Sequence, residues 1–211
     1  MTSTDFLFAF QKIIALSQTG LSYNPPTYDR ERYENIRDIS FQMLAKISDV
    51  TVAQIIQLFP EDHGYVTPKV DIRAVIFRNN EELLMVQEKM DDNKWTVPGG
   101  WADVGYTPFQ VAEKETWEET GLEVKAKRLL AVFDKSRHDH PHQPWYVYKF
   151  FILCEVSGGE LLQQTTETSE ASWIKFADVS NLSLSRYRVT LSQLEMIFKF
   201  AADPNLPAYC D

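Results

Sequence analysis

Apolar residues recur along the chain with two different periods, which predicts a helical segment followed by a mixed one. Helical spacing covers residues 4 to 18, 28 to 48 and 50 to 59, and the cap signals Ser3-Thr4-Asp5 and Ser48-Asp49-Val50 mark the first and third. A Gly/Pro-rich stretch at 20 to 29 connects the first two helices, and residues 63 to 69 form a linker. We therefore expect a helical domain over residues 1–64 and a second domain over residues 65–211.

The second domain begins with two strand patterns, VDIRAVIF at residues 70 to 77 and ELLMVQEK at residues 82 to 89, separated by a polar turn. Further strands are predicted at about 123 to 136, 145 to 156 and 172 to 176, and an amphipathic helix at 187 to 201 closes the pattern. Strands mixed with helices indicate an α/β fold.

Between these strands lies the segment PGGWADVGYTPFQVAEKETWEETGLEV, residues 98 to 124, whose centre is predicted to be a helix. Thr107 is a suitable N-cap, Pro108 fits the first helical position, and Gly121 is placed to end the helix in a left-handed conformation. Helical spacing puts Glu115, Glu118 and Glu119 on one face near the helix C-terminus, where like charges and the helix dipole both disfavour them.

A solvated acidic face is the plain explanation of such a cluster, but its surroundings favour a metal site. A divalent cation would turn the repulsion into coordination, because Mg²⁺ is held by one or two carboxylates together with water and substrate phosphates. The preceding Pro98-Gly99-Gly100 allows the backbone to turn sharply and to approach a ligand closely. The two features together predict a phosphate site.

This stretch resembles the signature box of the Nudix hydrolases, which reads Gly, five residues, Glu, seven residues, Arg-Glu-apolar-any-Glu-Glu-any-Gly-apolar. We call residues 100–122 the acidic box. Three positions depart from the pattern: Tyr106 replaces the first Glu, Lys114 replaces Arg, and Thr116 replaces the apolar residue. Lysine lacks the planar, bidentate contact of arginine, and Asp103 is a substitute for the carboxylate that Tyr106 does not supply.

The resemblance implies a Nudix-type α/β/α sandwich with a mixed sheet, preceded by a small all-helical domain. Residues 20 to 37 are similar to the N-terminal domain of Nudix enzymes that hydrolyse nucleoside diphosphates linked to another group X, of the CDP-choline or ADP-ribose type. The resemblance therefore implies that the protein hydrolyses a pyrophosphate bond with Mg²⁺ or Mn²⁺ bound by Glu115, Glu118 and Glu119. A regulatory nucleotide-binding module without turnover and a pyrophosphatase that cleans the nucleoside triphosphate pool are the alternatives.

Residues outside the three glutamates complete the predicted site. Glu170, in TTETSEASW, is the candidate general base together with a box glutamate, and Glu167 precedes it. Arg73 either contacts a phosphate or pairs with Asp71 or a box glutamate. The expected substrate-binding residues are Arg73, Gly99, Gly100, Trp101 and Asp103. The loop RHDHPHQPW, with His138, His140 and His142, has three interpretations: a plain surface loop, a polar loop near the substrate, or a metal site. The metal site is the least favoured, because nothing supplies a fourth ligand.

Composition limits the partners. The formal net charge of −9 argues against general affinity for nucleic acid or an anionic membrane, and two cysteines are too few for a disulfide framework or a zinc cluster. The first twenty residues lack a basic leader and an apolar run that could span a bilayer, so we expect a cytoplasmic enzyme. Apolar residues extend around the first helix beyond one packed face, which predicts a homodimer involving this region.

Overall fold

A computed structural model of the chain describes residues 3–48, 51–58 and 66–211. The chain divides into two compact units, residues 1–68 with 142–146 and residues 69–141 with 147–211. The predicted domain boundary at residue 64 lies outside the described residues and stays a prediction.

Three helices occur among the described residues of the first unit, α1 (Ser3–Ser22), α2 (Thr27–Ile47) and α3 (Val52–Leu58). Its core consists of buried apolar side chains from all three, namely Leu7, Ile14, Phe41, Leu44 and Ile55. Gly20 permits a close approach of α1 to α2, because a Cβ there would lie 2.7 Å from the Tyr33 ring. The segment 142–146 joins this unit through Gln11, whose amide donates to the Gln143 carbonyl at 2.7 Å.

One cap prediction for this unit is wrong. Ser48 does not start α3 but ends α2, since its N–H and its hydroxyl both donate to the Leu44 carbonyl. The cap of α3 is Thr51, which exchanges hydrogen bonds with Gln54 at 2.9 and 3.3 Å. Sequence alone did not separate the two because both are good N-cap residues.

Seven strands occur among the described residues of the second unit, in the spatial order β3-β2-β1-β5-β4-β7, with β6 paired to β2. Their bounds are β1 (Lys69–Arg78), β2 (Glu82–Glu88), β3 (Lys94–Thr96), β4 (Leu122–Asp134), β5 (Val147–Gly159), β6 (Thr168–Lys175) and β7 (Tyr209–Cys210). The sheet is mixed, because β1 runs parallel to β5 and β4 runs parallel to β7 while the other pairs are antiparallel.

Helices cover both faces of this sheet. Helix α4 (Pro108–Thr120) packs through Val111 and Ala112 on one face, and α6 (Leu191–Ala202) packs through Leu194 and Ile197 on the other. The short α5 (Phe176–Val179) follows β6. This arrangement confirms the predicted α/β/α sandwich with a mixed sheet, preceded by a helical N-terminal unit. No helix in the described part of the chain is long and apolar enough to cross a membrane.

Candidate active site

Helix α4 carries the acidic box and begins and ends as the sequence predicts. The Thr107 side chain accepts from the Gln110 N–H, the Gln110 side chain accepts in return, and Pro108 occupies the first turn. At the other end Gly121 has φ 75°, and its N–H donates to the Trp117 carbonyl. The caps fix the register of the helix, and with it the side on which its glutamates lie.

The Pro98-Gly99-Gly100 loop runs alongside β1 and brings its backbone to the glutamates. The N–H of Ala74 donates to Pro98 and that of Ile72 to Gly100, both at 2.8 Å. Gly99 has φ 142°, and a Cβ there would lie 2.0 Å from the Ile72 carbonyl oxygen. A Cβ on Gly100 would lie 2.7 Å from Glu115 Oε2. Gly99 is therefore required by space, because a side chain there would meet backbone atoms, whereas a side chain at Gly100 would have to displace the Glu115 carboxylate.

The three box glutamates have different surroundings. Glu119 is only 3% exposed, and its Oε2 accepts from the Gly99 N–H at 3.0 Å. Glu115 and Glu118 are linked by Lys114, whose Nζ lies 3.3 Å from Glu115 Oε1 and 2.6 Å from Glu118 Oε2. The lysine that replaces the arginine of the box thus holds two of the acids together.

Burial and mutual repulsion disfavour the charged forms of two of these acids. Burial raises the pKa of Glu119 well above its ordinary value, the charge of Arg73 opposes the rise, and Glu88 adds to it. Burial also raises the pKa of Glu115, against Lys114 and together with the negative charges of Glu118 and Glu167. A cation at this position would relieve both effects.

A second carboxylate-bearing segment is tied to the end of α4. The Thr168 hydroxyl donates to the Glu119 carbonyl at 2.8 Å, and the Lys89 N–H donates to the Glu167 carbonyl at 3.1 Å. The Lys89 ammonium donates to the Thr165 carbonyl of the same segment. Glu167 is the acid whose charge acts on Glu115, whereas Glu170 lies within β6, opposite Gln87 of β2.

Arg73 takes the ion-pair alternative predicted from the sequence. Its Nη2 lies 2.7 Å from Asp71 Oδ1, and the Lys149 ammonium contacts the other Asp71 oxygen. All three side chains are buried. Arg73 also carries a positive charge that acts on Glu119, so it is part of the electrostatic surroundings of the box.

Sequence reasoning missed the charged residues around this pair. Burial tends to raise the pKa of Asp71, but the charges of Arg73 and Lys149 outweigh it and bring that pKa to about 2. Burial lowers the pKa of Lys149 to about 8 and that of Lys135 to about 7. The sequence feature that could have revealed these buried charges is a charged residue inside an otherwise apolar strand, such as Lys149 in VYKFFIL at residues 147 to 153.

Other predicted residues lie around these groups. Trp101 and Asp103 lie in the loop between β3 and α4 and have exposed side chains. The backbone of Trp101 forms an isolated antiparallel β-bridge with that of Asp71.

The predicted histidine loop makes contacts of its own. His138 Nε2 pairs with Asp211 Oδ2 at 2.8 Å, and His140 Nδ1 bonds to the Arg186 carbonyl at 2.6 Å. His142 belongs to the first unit. In the described part of the chain, no three His, Cys, Asp or Glu side chains already converge as a metal centre.

Comparison with known proteins gives two family matches. Residues 67–194 match the NUDIX domain, and residues 4–59 match the UDP-X-like, N-terminal oligomerisation domain. The matches confirm the resemblance seen in the acidic box and in the N-terminal helices.

Individual proteins agree with these matches. The putative ADP-ribose pyrophosphatase YjhB of Bacillus subtilis (strain 168) is 39% identical over 202 residues, which cover 96% of this chain and 95% of that protein. The crystal structure of a UDP-X diphosphatase is 32% identical, with a TM-score of 0.62 and full coverage of both chains. An ADP-ribose pyrophosphatase from Streptococcus suis 89-1591 is 35% identical, with a TM-score of 0.60 over 69% of this chain and 100% of that one.

Because the NUDIX domain covers more than half of its length and a relative is 39% identical along nearly all of it, the chain belongs to the Nudix family and is a Nudix pyrophosphohydrolase.

Proposed function

We propose that this enzyme hydrolyses the pyrophosphate bond of a nucleoside diphosphate linked to another group X, of the ADP-ribose, UDP-X or CDP-choline type. The observation that carries the proposal is the set of three box glutamates on one face of α4, beside a glycine loop whose backbone bonds to Glu119 through Gly99. The helical N-terminal match and the names of the relatives support a conjugate, rather than a triphosphate, as the substrate.

The residues fit a divalent cation, Mg²⁺ or Mn²⁺. Carboxylate oxygens are the donors that these cations prefer, and Mg²⁺ requires only one or two of them besides water and phosphate oxygens. Glu115, Glu118 and Glu119 would hold the ion, with Lys114 released from Glu118 and with Glu119 retaining its bond from Gly99. The bound cation would neutralise charge on the pyrophosphate and make a water molecule more acidic.

The chain's own groups would position the substrate and take the proton. Gly99 and Gly100 bring the loop backbone beside Glu119 and Glu115, where it would contact a bound phosphate. Arg73 offsets the negative charge of the box, and Trp101 and Asp103 belong to the same loop. A box glutamate that the metal does not use, or a carboxylate at the start of β6 or on the segment before it, would accept the proton of the attacking water. Glu170 is the residue named by the sequence, and Glu167 is the one whose charge acts on Glu115.

A screen of conjugates tests this function. With Mg²⁺ or Mn²⁺ tested separately, ADP-ribose, UDP-sugars and CDP-choline should be cleaved into two phosphate monoesters, so a colorimetric phosphate assay stays silent until alkaline phosphatase is added. Repeating the screen with Glu167→Gln and Glu170→Gln identifies the base, because its loss should lower kcat by about 100-fold or more. Faster release of phosphate or pyrophosphate from nucleoside triphosphates would favour the pool-cleaning alternative. Binding without turnover would favour a regulatory module.

We also propose that the enzyme is a homodimer formed through its N-terminal helices. Large apolar side chains of the first unit are exposed, among them Leu16 at 61% and Ile39 at 55%. On α2 they recur with helical spacing at Ile36, Ile39 and Met43, so they form one stripe. The match to an N-terminal oligomerisation domain supports a second copy of this chain as the partner.

A further inference from the structure

Basic side chains lie together on the sheet face that α6 covers, near the start of β1 and β5. In the register of the sheet, Lys149 of β5 is next to Asp71 of β1 and to Phe133 of β4. Phe133 packs in the same core cluster as α6, so Lys149 belongs to that face. Lys135 follows the end of β4, and the charge of Lys149 acts on it. Both lysines are buried. We call Lys135, His140 and Lys149 the basic cluster.

Positive charge is concentrated at this cluster. Asp71 is a single carboxylate that accepts from both Arg73 and Lys149. The charges of Arg73 and Arg188 also act on both lysines, and together with burial they lower the pKa of Lys135 and of Lys149. Buried cations are costly unless anions balance them. A bound anion at this position would therefore be stabilised by the cations that the fold has already placed there.

His140 adds a hydrogen-bond acceptor to the cluster. Its Nδ1 lies 2.6 Å from the Arg186 carbonyl oxygen, so Nδ1 carries the ring hydrogen and Nε2 of the neutral ring is an acceptor. Burial lowers the pKa of His140 to about 3, and the charges of Lys149 and Lys135 act in the same direction, so the ring stays neutral. Nε2 is buried, and no donor among the described residues reaches it. A ligand with a hydroxyl group would satisfy this acceptor.

The loop 97–101 links the basic cluster to the acidic box. The Val97 carbonyl accepts from Arg73 Nη1 at 3.3 Å, and the Gly99 N–H donates to a box glutamate. At the end of the loop, the backbone of Trp101 forms a bridge with that of Asp71. A conjugate whose phosphates lie at the box would extend past Trp101 to bring its X group to the basic cluster.

The basic cluster also lies close to the protein surface. Lys135 Nζ is 5.8 Å from the centre of the Tyr187 ring, and the Tyr187 side chain is exposed. The side chain of Trp101, at the end of the loop, is exposed as well. A ligand therefore has a route to the cluster between the loop and the segment that precedes α6.

We propose that the basic cluster binds the X group and selects an X that carries a carboxylate next to hydroxyl groups, as a sugar acid does. The carboxylate would accept from the ammonium groups of Lys135 and Lys149, and a neighbouring hydroxyl would donate to His140 Nε2. This inference rests on the proposed function, because X is defined only for a nucleoside diphosphate conjugate.

The test compares UDP-glucuronate with UDP-glucose, which differ only in a carboxylate or a hydroxymethyl group on carbon 5 of the sugar. The kcat/KM for UDP-glucuronate should be about tenfold higher. Lys135→Met keeps the length of the side chain without its charge, and should bring the ratio of the two kcat/KM values towards one. Lys127→Met is the matched control, because Lys127 is an exposed lysine of β4 paired with Glu155, and this variant should keep the ratio.

A second variant tests the hydroxyl contact. His140→Phe removes the acceptor and should lower kcat/KM for both sugar conjugates by about fivefold, because both sugars carry the hydroxyl groups. Unchanged kcat/KM values in His140→Phe would overturn this contact.

The outcomes separate this inference from the proposed function. Equal kcat/KM values for the two UDP-sugars, or an unchanged ratio in Lys135→Met, would overturn the sugar-acid site while leaving conjugate hydrolysis intact. If no conjugate is hydrolysed, the proposed function fails. Calorimetric titration of the wild type with glucuronate 1-phosphate and with glucose 1-phosphate in Mg²⁺ then decides the basic cluster by itself, and it does so even if Lys135→Met does not fold. Tighter binding of glucuronate 1-phosphate supports the site, and equal or undetectable binding rejects it.

Discussion

Glu118 and Glu119 are neighbours in the chain, but the fold gives their carboxylates opposite surroundings. Glu119 is buried and bonded to the Gly99 N–H, while Glu118 is part-exposed and paired with Lys114. Helical spacing predicts that both share a face with Glu115. It does not predict which one is buried, because that depends on the loop and strand β1, which lie far from the helix in sequence.

Replacing either acid by its amide should separate catalysis from folding. We expect Glu118→Gln and Glu119→Gln each to lower kcat by about 100-fold or more, because each loses a carboxylate proposed to hold the metal. The free energy of unfolding of the metal-free protein should stay within about 1 kcal/mol or rise, since the amide relieves repulsion at the helix end and still accepts from Gly99. Steady-state kinetics and urea unfolding check this, with Glu195→Gln on α6 as the control. Near wild-type kcat in both variants would refute the metal assignment.

Asp71 is the counter-charge of two buried cations, Arg73 and Lys149. Asp71→Asn should therefore lower the free energy of unfolding at neutral pH by about 3–5 kcal/mol, because both cations stay buried without their carboxylate. The exposed Asp92→Asn should have little effect. Urea unfolding measures both, and equal stability of the two variants would contradict the structural role of Asp71.

The Asp71 carboxylate should also make the free energy of unfolding depend on pH in the acid range. Its pKa is about 2 in the folded protein and 3.8 in its ordinary state, so its contribution to stability is complete above pH 4 and is lost as the pH falls towards 2. The loss amounts to about 2 kcal/mol. Unfolding curves between these pH values should show this slope in the wild type and lack it in Asp71→Asn.

At the scale of elements, local chemistry fixed the helix ends and long-range pairing fixed much of the sheet. The ends of α4 could be predicted, because Thr107, Pro108 and Gly121 act on their immediate neighbours. The first two strands could be predicted from their runs of apolar residues. Strand β3 has only three residues and β7 only two, which is too short for an alternating pattern. Strand β6 starts at Thr168, before the predicted residue 172, because its partner β2 supplies the register.

Gly121 offers a test of how closely the end of α4 packs against the segment that contains Glu160 and Leu162. Gly121→Ala should destabilise the protein, because φ is 75° and the new Cβ would lie 2.6 Å from Leu162 Cγ and 2.8 Å from the Glu160 carbonyl oxygen. Gly105→Ala is the matched control, since φ there is 97° but no atom lies within 4 Å of the Cβ position. We expect Gly121→Ala to cost at least about 1 kcal/mol more in urea unfolding. An equal decrease in the free energy of unfolding in the two variants would mean that the segment around Leu162 moves away from the new Cβ at little cost.

At the scale of the whole molecule, large apolar side chains of the first unit are exposed, and we propose that a second copy of the chain covers them. The sequence predicts the excess on α1 at Phe8, Ala9 and Leu16, and of these Leu16 is exposed. Phe8 instead packs against the core of the first unit, while Phe6, which the sequence assigns to the packed stripe, is exposed.

The sequence did not single out the stripe on α2, because Ile36, Ile39 and Met43 are separated by two charged residues and then by three uncharged ones, and so appear scattered in the sequence. Their alignment follows from the burial of the opposite face of α2 by Phe41 and Leu44.

A charge in this stripe should weaken the proposed dimer. We expect Ile39→Asp to shift the enzyme from dimer to monomer at micromolar concentration, because a carboxylate would be buried without a partner in the interface. The exposed Gln42→Asp, on the same helix, serves as the control for added charge. Light scattering reads both, and a wild-type monomer would remove the homodimer proposal. A dimer that survives Ile39→Asp would place its interface elsewhere.

We propose that this Nudix enzyme splits the bond between the two phosphates of a nucleoside diphosphate conjugate. Mass spectrometry of ADP-ribose turned over with Mg²⁺ or Mn²⁺ in oxygen-18 water tests it most directly. We predict AMP and ribose 5-phosphate in equal amounts, with one heavy oxygen per cleavage in the phosphate of one monoester and none in free phosphate. Release of inorganic phosphate or free adenosine as the first product, or no cleavage of ADP-ribose or any other conjugate, would contradict it.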